Sequence, residues 1–449
     1  MRAVWLAIGL VGCGSKLPDD VPTWHRDVSP IVQARCVSCH QEGETAAFLP
    51  LGDYDVAVEW APVMARMVES RRMPPFMAQP TDECENPWGF LHDWRLSDEE
   101  IATIVEWAEV NAPEGDPDDA VEVAPADVPT LDGPVEELVP TTGYTTTRSA
   151  DVQDEFVCFS IPFENATERW LDGIEVVPDQ RAVVHHVTMF LDQDGGSAAL
   201  AGDDGVYPCF GGTNVPGAKY VGAWVPGSAP VITPPGSAFH IEPGARFVAQ
   251  MHYHPTEEPT LDRTSFRMRF TEDAPEDEAI LMLIGNFPTA LGPGNGLLPG
   301  EGDRFGIPEF RIPADAPEHV EEMILTIDNL PVGVEFYVWT LLNHMHYIGV
   351  DMKVWLEHPD DTESCLLQTP DWDFDWQQSF DYDAARGDAP VVKRGDVLHI
   401  RCTYDNTLGN DGVEKVLDEA GLDAPIDVFL GEGSLDEMCV AGIGIVRKH

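Results

Sequence analysis

The chain is 449 residues long and 43% hydrophobic, which provides for about three domains with apolar cores. Its 79 acidic and 26 basic residues give a formal net charge of -53, so nucleic acid and anionic headgroups are repelled and excluded as partners. The acidity reads as a solvated surface; attraction of a cationic redox partner and tolerance of high salt are the functional alternatives.

Met1-Arg2 precedes a short apolar run, AVWLAIGLVG, that is too short to span a bilayer as a helix. Leu10-Val11-Gly12-Cys13 resembles a bacterial lipobox, so residues 1–13 read as a lipoprotein-type signal with Cys13 as the lipidation site. A plain secretory signal cleaved elsewhere is the alternative. Either places the protein outside the cytoplasm, in a bacterial cell envelope, at the periplasmic face or as an outer-membrane lipoprotein. Its only membrane attachment would be a lipid anchor.

Next comes Arg35-Cys36-Val37-Ser38-Cys39-His40, a CxxCH sequence. Thiols at this spacing can form thioethers to haem vinyl groups while the following His40 ligates iron. Half of a zinc site and a redox pair are the alternatives. In SRRMPPFM, Met73 is the proposed sixth ligand, because its prolines favour an extended loop. Met64, Met67 and Met77 are rivals, Met64 and Met67 at a spacing typical of core packing. Ser97-Asp98-Glu99-Glu100 forms a capping box opening a helix with Ile101, Ile104, Val105 and Ala108 on one face, closed by Pro113. Residues 20–115 thus resemble a small all-α class I cytochrome c domain.

Residues 116–138 are rich in Pro, Asp and Glu without apolar periodicity and read as an extended, self-repelling linker. Beyond it, short alternating runs such as RFVAQMHYH and EFYVWTLL, separated by Gly, Pro and Asp turns, point to antiparallel sandwiches. The junction between two halves, 139–272 and 273–449, falls near the acidic stretch Thr271 to Asp277.

These halves carry His185-His186, His252, His344-Met345-His346 and Met438. Residues two apart on a strand share a face, so His344 and His346 can share a metal. A thioether suits copper, particularly Cu(I), better than zinc, so Met438 beside them favours a redox metal. Adjacent His185 and His186 would point to opposite faces of a regular strand, and can serve one metal only if the backbone bends or the rings swing round. His254 can replace or assist His252. His25, His92, His240, His319, His358, His399 and His449 read as ordinary core or surface residues.

The series His185-His186, Gln250-Met251-His252-Tyr253, His344-Met345-His346 and Asp436-Glu437-Met438-Cys439 resembles the copper type II, ascorbate-dependent monooxygenases. That family includes the peptidylglycine alpha-hydroxylating and dopamine beta-monooxygenases. The resemblance covers roughly residues 140 to 449 and implies two jelly-roll-like sandwiches with one copper each. It implies an electron-storing copper on His185, His186 and His252, and a catalytic copper on His344, His346 and Met438 that binds dioxygen. Gln250 matches the family's histidine-flanking glutamine, and Cys439 its cysteine after the ligand methionine, with Cys402 as the implied disulfide partner. Leu342 stands where the peptide-amidating enzymes have a carboxylate-binding arginine, and Val440 and Gly442 replace an asparagine and a tyrosine. The substrate implied is therefore a neutral or aromatic C–H compound rather than a peptidyl-glycine.

Four further cysteines, Cys84, Cys158, Cys209 and Cys365, allow three pairings. Cys158 with Cys209 is favoured because both lie in one half, which leaves Cys84 free.

Together these features describe a multidomain protein: an all-α cytochrome c-like domain followed by two all-β jelly-roll-like antiparallel sandwiches. The function they imply is copper-dependent monooxygenation of a small organic substrate with O2. One covalent haem c would pass electrons to two copper ions, from a periplasmic donor or an ascorbate-like reductant. The alternatives are an exported haem/copper electron-transfer or copper-binding lipoprotein without oxygenase activity, and a binding sandwich carrying a haem.

Overall fold

The computed structural model describes residues 18, 21–42, 44, 46–124, 129–147, 155–256, 258–385 and 387–449. Cys13 and the lipobox lie outside them. The chain divides into two compact units, Met1–Pro75 with Trp94–Asp127, and Phe76–Asp93 with Val128–His449.

In the first unit a π-helical turn over Trp24–Val28 leads into helix α1 (Ser29–Arg35), followed by α2 (Tyr54–Glu69) and α3 (Asp98–Glu109). Asp53 caps α2 by accepting from Asp55 N. The capping box expected at Ser97 and Glu100 is formed in both directions and starts α3. Val28, Val32, Ala57, Ala61, Ile104 and Trp107 make the core, and Met64 is buried among them. The Trp107 indole N–H donates to Pro113 O and satisfies the ring's polar atom inside that core.

This arrangement corrects the expectation of a separate all-α cytochrome c-like domain over residues 20–115. Helix accounts for only 16% of the chain, which is mostly β-sandwich sheet, and the helical stretch is interrupted. Residues Phe76–Asp93, between α2 and α3, belong to the β-rich unit. The physical reason is their apolar content: Phe76 packs edge-on against Phe380 at 5.2 Å and Phe90 stacks on Tyr382 at 5.5 Å. Leu91 N donates to Asp381 O, and Cys84 is joined to Cys365. This segment, called the strap below, is a piece of the sandwich fold carried between two helices.

Among the described residues, the second unit contains four large sheets. A five-stranded sheet holds Val206–Pro208, Glu155–Pro162, Arg246–Tyr253, Val184–Asp192 and Lys219–Trp224 in that order. A six-stranded sheet built around Arg169–Val177 and Ser265–Phe270 accompanies it. Leu171, Met189, Phe247 and Phe266 belong to their core. The pairs are antiparallel except for Asp277–Glu278, which runs parallel to Ser237–Ile241. The segment expected as a free linker is docked at its end: Glu136–Leu138 pairs with Ser265–Phe270, and buried Leu131 accepts from Arg267.

Past Ala279 the chain opens the other pair of sheets with Ile280–Gly285. That strand lies beside Val440–Lys448, which pairs with Glu335–His344. The facing six-stranded sheet contains His319–Thr326, Val397–Tyr404, Gly349–Glu357 and Glu363–Thr369. Three disulfides join Cys84–Cys365, Cys158–Cys209 and Cys402–Cys439. Cys84 is therefore not free, contrary to the sequence expectation. Among the described residues no helix is long and apolar enough to cross a membrane.

Candidate metal centres

His185 and His186 lie at the start of Val184–Asp192, and His252 lies near the end of the neighbouring strand Arg246–Tyr253. The register pairs His252 with His186 but Tyr253 with Val184, leaving His185 as an extra residue. This bulge answers the difficulty of adjacent histidines on a regular strand, because an inserted residue re-aims its neighbours. His185 Nδ1 lies 3.3 Å from His186 Nδ1, which in turn lies 3.2 Å from His252 Nδ1. Ligand atoms of all three rings fall within 4.8 Å of one another. Metal–imidazole bonds of about 2.0 Å in tetrahedral geometry give nitrogen–nitrogen edges of roughly 3.3 Å, so the three rings fit a single ion.

Packing and neighbouring rings act on individual members of this cluster. Burial, and then the neighbouring His252, His185, His344 and His254, hold His186 well below the ordinary histidine range, so its imidazole is neutral. Phe156 stacks on His252 with centroids 4.3 Å apart. Gln250, on the His252 face of the strand, donates to Cys209 O at 2.7 Å and accepts from the Thr188 hydroxyl at 2.8 Å. The glutamine thus ties the ligand strand to the Cys158–Cys209 disulfide. His254 lies close, its ring 4.6 Å from that of His185, but outside the convergent set of three.

The other group lies at the end of Glu335–His344. His346 falls just past the strand rather than within it, and its ring centroid is 5.3 Å from that of His344. Val440 pairs with His344, and the Glu437 carboxylate accepts from the backbone N–H groups of both His346 and Met438, which ties Met438 to the His346 turn. His344 Nδ1 donates to the Gln377 side chain, and His346 Nδ1 donates to Asp436 O at 2.9 Å. In a neutral ring that hydrogen leaves the lone pair on Nε2, the arrangement by which an outer partner orients a metal-binding imidazole. Burial lowers His344 to about 4 and lowers His346 as well. Two neutral imidazoles and a buried thioether make a donor set suited to copper.

Glu437 organises this region. It is 1% exposed, and its carboxylate accepts from the backbone N–H groups of His346, Ile348 and Met438 at 2.8 to 3.0 Å. Tyr404 holds Met438 from the other side by donating to its carbonyl at 2.8 Å. Although Glu437 is visible in the Asp-Glu-Met-Cys run, its clamping role depends on a turn 90 residues away.

The sequence reading missed residues 372–377. Asp375 lies 3.6 Å from His185 Nε2, and this histidine, aided by Lys415, holds its carboxyl down at about 2. Phe374 and Gln377 meet His185 and His344 respectively. The run DWDFDWQQ alternates acidic and aromatic residues, a pattern that signals a half-buried strand rather than a short helical turn meeting two histidine groups.

In the helical unit Cys36 and Cys39 stand outside the three disulfides. His40 Nδ1 lies 3.0 Å from Leu49 O, and donation to that carbonyl leaves Nε2 with the lone pair. Burial lowers its pKa, so the ring is neutral. These residues fit covalent haem attachment with His40 as an axial ligand. Met73 sits in a turn rather than an extended loop. The Met77 sulfur accepts from Asp373 N at 3.1 Å. Among the histidines read as ordinary, His25, His240, His319, His358, His399 and His449 all meet carboxylates.

No family model matches the chain, and no curated protein matches it. Among solved structures it is similar to the major capsid protein P2 from bacteriophage PM2, at 7% identity and a TM-score of 0.26, covering 70% of this chain and 98% of that one. It is similar to allantoicase at 13% identity and a TM-score of 0.16, covering 59% of this chain and 81% of that one. Scores this low carry no argument about fold or activity. The functional reading rests on this chain's own residues.

Proposed function

We propose that the protein is an exported copper-dependent monooxygenase that hydroxylates a C–H bond of a small organic substrate, with electrons arriving through a haem bound at Cys36, Cys39 and His40. The observation that carries this reading is the presence, within one compact unit, of a three-histidine cluster and of a neighbouring His344/His346 pair tied to Met438 through Glu437. Bound copper would supply one-electron storage at the first group and dioxygen chemistry at the second.

The chain's own residues provide the rest. His186, His344 and His346 are held neutral by burial, so they can ligate without first losing a proton. Glu437 fixes the backbone at His346 and Met438, which sets two donors relative to one another. The reaction consumes one O2, one C–H bond, two electrons and two protons, and yields one hydroxyl and one water. Its electrons come from an external one-electron donor. Covalent attachment of the haem to the same chain would raise its effective concentration at the copper-binding unit.

Three disulfides are compatible with an oxidising, exported location. A lipid on Cys13 would add attachment to the cell envelope. Leu342 offers no charge for a substrate carboxylate, which supports a neutral or aromatic substrate.

The test is a search for a product that gains one oxygen atom from labelled dioxygen, using reduced, copper-loaded full-length protein and periplasmic extract. Labelled product, lost in the Met438→Ile protein, supports oxygenation. Copper uptake and haem oxidation without labelled product identify an electron-transfer or copper-holding protein instead.

A further inference from the structure

Away from the two histidine groups, one imidazole carries a hydroxyl on one side and a buried carboxylate on the other. His358 Nε2 lies 2.9 Å from Ser364 Oγ, and His358 Nδ1 lies 2.8 Å from Asp396 Oδ1. The Asp396 side chain is fully buried, and its second oxygen accepts from Lys393 N at 2.8 Å. A carboxylate only accepts, so His358 Nδ1 donates to it and Nε2 keeps the lone pair that faces the serine hydroxyl.

Three neighbouring strands of one sheet deliver these residues. Glu357 pairs with Val397 on one side and with Glu363 on the other. His358 therefore follows the end of Gly349–Glu357, Asp396 precedes the start of Val397–Tyr404, and Ser364 sits across from Leu356. Leu356 and His358 are two apart and share a face, which brings the imidazole beside the serine. The intervening turn is held by His358 N, which donates to Thr362 O at 2.8 Å, and by the Thr362 hydroxyl, which donates to Asp360 at 2.7 Å. Ser364 is half-buried and the His358 side chain is 15% exposed, so the hydroxyl and its base meet solvent while the carboxylate does not.

We propose that Ser364, His358 and Asp396 form a second, hydrolytic site that acts on neutral carboxylic esters. Nucleophile, base and orienting group stand within hydrogen-bond reach of one another in that order, and such a constellation is recognised by geometry and roles. Ser364 Oγ attacks the ester carbonyl carbon as its proton passes to His358 Nε2. The bond to the alcohol oxygen breaks, that proton leaves with the alcohol, and the acyl group stays on Ser364. Water then gives a proton to the same nitrogen, attacks the acyl carbon and releases the acid, so ester and water become acid and alcohol. Asp396 is a positioning residue that fixes the imidazole. The exposed carboxylates of Asp360, Asp361 and Glu363 around the turn disfavour an anionic substrate and favour departure of the acid. Copper takes no part, so this site and the oxygenase reading stand or fall separately.

The test treats full-length protein, with and without copper, with a fluorophosphonate and with p-nitrophenyl acetate. Peptide mass spectrometry should find one phosphonate per chain, on Ser364, in both preparations. The ester should give a burst of p-nitrophenol matched by an acetyl group on the same serine. Ser364→Ala should lose adduct and burst at an unchanged melting temperature. His358→Ala should slow both by about a hundredfold, with added imidazole restoring part of the rate, and Asp396→Asn should slow them about tenfold or more. If a His358 or Asp396 variant fails to fold, the labelling of wild type against Ser364→Ala decides. An unmodified Ser364 in folded wild type overturns the proposal, as does labelling equally fast in folded His358→Ala; the three residues are then a clasp at the end of the sheet.

Discussion

The backbone N–H of His346 donates to the Glu437 carboxylate at 2.8 Å, although the two residues lie 91 positions apart. Two more backbone donors converge on the same group, yet burial still pushes its carboxyl up to about 8. Raised above the unfolded value near 4.5, the folded pKa means that the native state binds the proton more tightly. The associated stability is fully present below pH 4.5 and declines as pH rises toward 8. Thermal unfolding of metal-free protein should therefore show a melting temperature that falls across this window. Glu437→Gln should flatten that slope while costing about 1–3 kcal/mol, because its amide N–H₂ sets a donor against a buried backbone donor.

Copper uptake at the His344/His346 group should release few protons. Burial lowers His344 to about 4, which leaves its ring neutral at pH 6, and lowers His346 in the same direction. Ordinary histidines, with a pKa of about 6.5, would be about three-quarters protonated there and would lose about 0.8 proton each. Calorimetric titration at pH 6, in buffers of different ionisation enthalpy, measures the number. It should be well below one proton for the pair.

Met438→Ile should separate the two groups. The change removes the thioether but keeps an apolar side chain of similar size at a buried position. Copper stoichiometry by mass spectrometry should fall toward one, with the His185/His186/His252 signal retained. Product formation should drop by at least 100-fold.

The Cys158–Cys209 disulfide closes a separation of 51 residues, and Cys209 O holds the Gln250 amide two residues before His252. Replacing both cysteines by alanine should cost about 2–5 kcal/mol by denaturant unfolding. Copper affinity should fall at the three-histidine group more than at the other, because the disturbed strand carries His252. Equal losses at both groups would contradict a local effect.

Covalent haem should depend on Cys36 and Cys39 and low-spin ligation on His40. Protein made with a haem-attachment system should retain its haem through acid-acetone extraction, and Cys36→Ala/Cys39→Ala should release it. His40→Ala should keep the thioethers but alter the Soret and α bands. Met73→Ala tests the sixth ligand by the same spectra.

Legibility varied with the range of the interaction. The α3 capping box and the buried face at Ile104 are local, and their residues lie close together in sequence. The histidine groups were visible as residue types, but not the bulge at His185 that lets two adjacent rings converge, because an unpaired residue leaves no mark on periodicity. Cys84 was misread as free because its partner is 281 positions away. The same strap misled the domain reading, since residues 76–93 fall inside the 20–115 span in sequence while Phe76 and Phe90 pack against Phe380 and Tyr382. Phe374, Asp375 and Gln377 were illegible because their importance comes from what two separate sheets present to them.

The strap also constrains how the protein can be rearranged. A cut or a recombination point in the acidic stretch after α3 would look natural, yet it would carry Cys84, Phe76 and Phe90 away with the helices. The remaining β-rich piece would hold an unpaired Cys365, bare Phe380 and Tyr382 rings, and an Asp373 amide without the Met77 sulfur. The haem-motif segment is therefore not a detachable cassette. A donor sequence exchanged at this position would have to bring its own strap, matched to Cys365, Phe380 and Tyr382.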